Sequence, residues 1–194
     1  SIFHIVHGMC EYIARYDHIF AFLAEKGYVC CGYDNLGHGE TAKNKDELGF
    51  IAHRNGWKYL VNDVKAFEDA VRKMFPDKPL YLMGHSMGSF IARIAAENYS
   101  DGIEKFVICG TGGPNAAAPF GLLLTDIMQL LFGQKHRSKL INNIAFGAYN
   151  KRLEGESEYD WVTSDRGVIA KYAADEYCTF KFTVSAMHDL VKLN

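Results

Sequence analysis

The sequence predicts an α/β fold: a parallel sheet between two helical layers, a three-layer sandwich, with a helical cap over one end. Three observations predict it. Over residues 1–109, short apolar strands alternate with amphipathic helices. A Gly-x-Ser-x-Gly turn, Gly84-His85-Ser86-Met87-Gly88, joins one of those strands directly to a helix. After Cys109 the strand pattern stops, and the rest of the chain is helical and mixed in character.

The first strand is 2–6, Ile-Phe-His-Ile-Val, and it ends in the turn His7-Gly8. Residues 12–26 read as a helix with Ile13, Tyr16, Phe20 and Leu23 on one face, and Gly27 stops it. The second strand is 28–33. A helix over 57–75 follows, with Leu60, Val64, Phe67, Val71 and Met74 on one face and Pro76 as its terminator. The third strand is 80–83. Met87, Phe90, Ile91, Ile94 and Ala95 then recur at helical spacing, and 105–109 forms the fourth strand. Near-continuous apolar strands separated by helices predict parallel pairing with both sheet faces covered. Residues 110–114 are a Gly-Pro loop. From Phe120 to Phe132 the chain is a very apolar helix, and 133–139 is polar. Trp161, Tyr172, Tyr177, Phe180 and Phe182 are aromatic anchors of the final third. Residues 1–114 are therefore expected to be a partial sheet core and 115–194 a helical cap region.

At 194 residues and 48% hydrophobic, the chain suits one globular domain with an insertion. A net charge of −2 with mixed signs points away from nucleic-acid binding. No apolar run reaches the roughly 20 residues of a transmembrane helix. The opening Ser-Ile-Phe-His lacks the charged segment and cleavage site of a signal peptide. Cys10, Cys30, Cys31, Cys109 and Cys178 have no metal-type spacing; reduced, buried thiols in a cytoplasmic protein account for them.

A serine on a sharp strand-to-helix turn is held in a strained conformation, its hydroxyl pushed out at the carboxyl end of the sheet. Gly84 and Gly88 fit because a Cβ at either would clash with the neighbouring strand or helix. Ser86 is thus the candidate catalytic nucleophile. It needs a base to take its proton and donors for the charge that develops on the substrate oxygen. The N–H of Met87 is one candidate oxyanion donor. The N–H of Met9, in the loop after the first strand, is the second, with Gly8 letting the backbone come close. The base is not evident. His85 faces away from the nucleophile, His38 is a turn residue in Gly37-His38-Gly39, and His18 lies on an amphipathic helix. His136 and His188 fall in the cap region, and His188 and Asp189, being adjacent on a helix, point to different faces.

His7-Gly8-Met9-Cys10-Glu11-Tyr12, Arg15-Tyr16, Gly27-Tyr28-Val29, Tyr33 to Gly39, Asn62-Asp63 and Gly84 to Gly88 occur in an order that resembles one group of the α/β-hydrolase superfamily. This is the monoacylglycerol lipase and lysophospholipase group, also described as serine-aminopeptidase-like. The resemblance covers roughly residues 2–112, and 161–190 resembles cap helices of bacterial members. It implies an α/β-hydrolase core, Ser86 as nucleophile, Met9 and Met87 amides as the oxyanion hole, and a cap over an acyl pocket. Leu36, Thr41 and Ser89 depart from residues common in the group, and none touches the chemistry. Members of the group carry two strands before the one at Ile2 and two after the cap, with the triad Asp and His following the last two. The chain therefore resembles the middle of a longer protein, truncated at both ends, and a further segment or chain would carry the acid and the His.

The expected activity is that of a serine ester hydrolase. Its substrate would be a small-molecule or lipid carboxylic ester with an apolar acyl chain: a monoacylglycerol, a lysophospholipid or a simple ester. No metal or organic cofactor is required by that chemistry. Two alternatives stay open. A prolyl-type aminopeptidase would use Glu154, Glu156, Glu158 and Asp160 to bind a substrate amine. A non-catalytic binding module on the same fold would need no base at all.

Overall fold

A computed structural model describes residues 1–153 and 157–194. Four parallel strands, β1 (Ile2–Val6), β2 (Val29–Gly32), β3 (Leu80–His85) and β4 (Ile103–Cys109), form one sheet in the order β2-β1-β3-β4. Helices α1 (Asp17–Glu25), α2 (Gly56–Met74) and α3 (Met87–Tyr99) make the crossovers. Parallel strands require such connections, because the chain must return to the same end before each new strand.

The register decides which side chains meet. Ile2, His4 and Val6 on β1 stand beside Leu80, Leu82 and Gly84 on β3. These residues face α2 and α3, and the core forms there from Leu60, Val64, Val71, Ile91, Ala92 and Ala95. Period-2 alternation sends Phe3, Tyr81, Met83 and His85 to the opposite face. That face is less closed: Phe3, Tyr28 and Tyr81 meet across it in edge-on and tilted contacts, and α1 buries no residue fully. The expected cover on both faces is therefore unequal. Strand β4 is an edge whose Val107 and Ile108 are exposed.

After β4 come α4 (Ala118–Phe132), α5 (Lys139–Phe146), α6 (Arg166–Ala174) and α7 (Val184–Leu193). α7 packs on α2, α3 and α4, and its Val184, Ala186, Met187 and Leu193 belong to the same core as the sheet. On α4, Leu124 and Met128 pack inward, while Phe120, Leu123, Ile127, Leu130, Leu131 and Phe132 are exposed. Among the described residues no helix is long and apolar enough to cross a membrane.

Several expectations need correction. The helix expected over 12–26 is a 3-10 turn, Ile13–Tyr16, followed by α1. Ile13 N–H donates to Asp34 Oδ1 at 2.7 Å, which caps the start of the 3-10 turn, and the Tyr16 hydroxyl turns inward to Glu11. Met74 is exposed, because α2 ends there and the ring of Phe75 packs inward. The cysteines are all free, but only Cys10 and Cys178 are buried; Cys109 is exposed on the edge strand. His38 does lie in a turn, but it is fully buried there, with its ring against His7, Phe180 and Phe182.

Candidate active site

β3 ends at His85 and α3 begins at Met87, so Ser86 alone turns the chain. It does so at φ 52° and ψ −120°, a conformation L-residues rarely adopt. The surroundings over-determine it. Ser86 N–H donates to Cys109 C=O at 2.9 Å, and Ser86 C=O accepts from Ser89 N–H at 2.8 Å and from Ser89 Oγ at 2.5 Å. A Cβ on Gly84 would stand 2.3 Å from Gly88 O, and one on Gly88 would stand 2.0 Å from Val6 O. Only glycines let strand, turn and helix approach this closely. The Ser86 side chain makes no capping bond to α3. Its hydroxyl is therefore left half-exposed at a helix N-terminus, where unsatisfied amides give a positive potential.

The loop after β1 lies against this turn: a Cβ on Gly8 would come within 3.0 Å of Ser86 Cβ and 3.2 Å of His85 O. One carboxylate oxygen, Glu11 Oε1, accepts from Gly8 N–H at 2.5 Å, Tyr16 O–H at 2.8 Å and His85 Nδ1 at 3.0 Å. Burial pushes the Glu11 carboxyl up, but the His85 hydrogen bond and charge, aided by His7 and the Gly8 N–H, bring it below its ordinary range. The same hydrogen bond raises His85, against the opposing effect of burial. Among the described residues, the N–H groups of Met9 and Met87 donate to no acceptor. Glu11 was not among the residues singled out from sequence. Its signal was the spacing Gly8-x-x-Glu11, a carboxylate placed to reach back to a turn amide.

The histidines are engaged elsewhere. His85 is held by Glu11 and Tyr16, His7 bonds to Gly8 O, and His38 bonds to Leu36 O at 3.0 Å. His188 on α7 lies 3.0 Å from Thr125 Oγ1 and 3.3 Å from Asp126 Oδ1, while its neighbour Asp189 is buried against the first amides of α2. Burial lowers His188 and raises Asp189 to about 6, so both are pushed toward their neutral forms. His136 stacks on Phe132, and His18 is exposed on α1. Among the described residues, no imidazole bonds to Ser86 Oγ. Burial raises the Cys10 and Cys178 thiols, Cys178 to about 12, which keeps both protonated and poorly nucleophilic. Among the described residues no three His, Cys, Asp or Glu side chains are grouped to hold a metal.

Two cavities flank α5. One of about 260 Å³ reaches Met9 and is lined by polar and aromatic groups, including Asn142, Asn150, Glu158, Trp161 and Tyr172. The other, about 240 Å³, is apolar and lies between α4, α5 and α7, with Phe120, Leu124, Ile141, Ile144 and Met187 in its wall. Glu154 and Glu156 lie outside the described residues. Asp160 pairs with Arg166, and Glu158 is exposed at the first cavity.

A parallel sheet that presents a serine on a strained strand-to-helix turn, beside a glycine loop from the adjacent strand, defines the α/β-hydrolase fold. Residues 1–194 match the family described as serine aminopeptidase, S33, and the chain belongs to that family. Monoglyceride lipase of Mus musculus is 24% identical over 170 residues, 85% of this chain and 51% of that protein. Monoacylglycerol lipase of Mycolicibacterium smegmatis is 23% identical over 171 residues, 88% of this chain and 54% of that protein. A thermostable carboxyl esterase from Bacillus coagulans, solved in complex with glycerol, superposes with a TM-score of 0.90 at 26% identity, over all of this chain and 63% of that one. The chain spans about half the length of the relatives it matches.

Proposed function

We propose that this chain carries the nucleophile, oxyanion hole and cap of a serine hydrolase acting on carboxylic esters with an apolar acyl chain. The observation that carries the reading is Ser86, at φ 52° with an uncapped hydroxyl, against the Gly8 loop. Ser86 Oγ attacks the ester carbonyl as a general base takes its proton. The carbonyl oxygen becomes an oxyanion, which the N–H groups of Met9 and Met87 stabilise; one such donor contributes about 10²–10³ in rate. Collapse expels the alcohol, which takes the proton back from the base, and leaves an acyl ester on Ser86. Water, activated by the same base, then releases the acid. The base and its orienting carboxylate come from a further segment or chain, in keeping with relatives about twice as long.

Residues 115–194 act as the cap. Its apolar cavity between α4, α5 and α7 takes the acyl chain, and the polar cavity beside Met9 takes the alcohol. The names of the relatives, lipases and an esterase, support this substrate class. Glu158 at the polar cavity favours a second reading, an aminopeptidase that binds a substrate amine there.

The test is to compare p-nitrophenyl acyl esters with proline amides on the full-length protein, alongside fluorophosphonate labelling. Ester turnover and labelling, both abolished in Ser86→Ala, are expected. Amide cleavage without ester cleavage selects the aminopeptidase. A folded full-length protein that neither labels nor turns over is a binding module.

A further inference from the structure

We propose that His7 is a positioning residue, which holds the Gly8–Met9 peptide so that its N–H is presented to the oxyanion. The inference rests on the hydrolase reading above. It begins with a tautomer. Asn35 N–H donates to His7 Nε2 at 2.9 Å, so that nitrogen is the acceptor and carries no proton. The proton of the neutral ring is therefore on Nδ1, and Nδ1–H donates to Gly8 O at 2.8 Å. Asn35 also grips the backbone here, its Nδ2 donating to His7 O at 3.0 Å. His7 and Asn35 are both fully buried, so these bonds are sheltered from exchange with water.

The consequence follows from peptide geometry. Gly8 O and Met9 N–H belong to one planar unit, and there is no cis bond among the described residues. In a trans peptide the two point in opposite directions. Tying the carbonyl to His7 aims the amide away from it. The preceding amide, Gly8 N–H, is tied to Glu11, and the carbonyl after Met9, that of Cys10, accepts from the Tyr172 hydroxyl at 2.9 Å. Gly8 N–H, Gly8 O and Cys10 O are thus held, while Met9 N–H itself has no partner among the described residues. A short loop with no strand or helix ladder is held by its own His7 and Glu11 and by Asn35 and Tyr172 from two other segments.

Protonation would disrupt the arrangement, because a proton on Nε2 would face the Asn35 N–H. Glu11 and Asp34 near the ring favour its charging, while His85 opposes it, and the ring of His38 packs edge-on against it. Burial is the largest influence and holds His7 below its ordinary range, in the neutral form that the contact requires.

The test uses the full-length protein with His7→Leu and His7→Asn. Asn places an amide donor near the position of Nδ1 and Leu does not. With p-nitrophenyl esters, His7→Leu is expected to lose about 10²–10³ in kcat, the value of an oxyanion donor, with KM changed less than about threefold. His7→Asn should recover at least tenfold of that loss. A purely structural role would lower the active fraction without this donor-dependent rescue. Nitrogen NMR of the wild type provides a reading independent of variant folding: His7 should show protonated Nδ1 and bare Nε2 at pH 7. The opposite tautomer, an imidazolium, or a folded His7→Leu with unchanged kcat overturns the positioning role while the hydrolase reading stands. A wild type that neither labels with fluorophosphonate nor turns over overturns the hydrolase reading, and the role of His7 with it.

Discussion

Ser86 occupies a backbone conformation that costs about 1–3 kcal/mol for a residue with a side chain. Replacing it with glycine removes that strain, while alanine keeps it. Thermal melts should therefore rank Ser86→Gly above Ser86→Ala by about 1–3 kcal/mol, with both inactive. An alanine variant as stable as the glycine one would mean that the turn is unstrained. His38 gives a second residue-scale prediction. Burial lowers it to about 3, so the folded chain holds it neutral where the unfolded chain protonates it. A lowered histidine contributes stability that is full above pH 6.5 and is lost as pH falls toward its folded value. Glu11 and His85, the charged pair nearest this end of the sheet, also titrate, and His85 shifts in the opposite direction. The difference between wild type and His38→Asn isolates His38. Urea midpoints should fall more steeply from pH 6.5 to 4.5 in the wild type than in the variant, and parallel slopes would contradict the assignment.

At the scale of elements, strands, crossover helices and the serine turn were legible because each writes a local pattern: period 2, period 3.6, or glycines around a serine. Strand β1 and the start of β3 fall where the apolar runs place them. What the sequence did not disclose depends on partners distant in the chain. Ile13 starts a 3-10 turn because Asp34 takes its amide, and His38 is buried because Phe180 and Phe182 fold over it. Glu11 joins Gly8, Tyr16 and His85, a convergence visible only once β1 and β3 lie side by side. The apolar run 120–132 was read correctly as a helix, but periodicity could not say that much of its apolar surface stays exposed. α4 supplies the element-scale prediction. Leu124 lines the apolar cavity of about 240 Å³, so Leu124→Trp should fill much of it. Turnover of esters with about eight or more acyl carbons should fall at least tenfold relative to acetate esters. Equal loss across chain lengths, measured as kcat/KM, would place the acyl chain elsewhere.

For the whole molecule, the uneven cover of the sheet has consequences. Strand β4 is an edge with exposed Val107 and Ile108 and an unpaired ladder of amides and carbonyls. Such an edge is a template for pairing with another chain. The 194-residue chain taken alone should self-associate at tens of micromolar, and Val107→Lys with Ile108→Lys should return it toward monomer in light scattering. A wild-type chain that stays monomeric would show the edge to be protected. Sheet, turn and loop converge on one proposed event, acylation of Ser86. Mass spectrometry of the full-length protein, quenched within milliseconds of mixing with a p-nitrophenyl ester, tests it most directly. The account predicts one acyl group per chain, on the peptide containing Ser86, absent in Ser86→Ala. Ester hydrolysis with the acyl group on another residue, or persisting in Ser86→Ala, would contradict it.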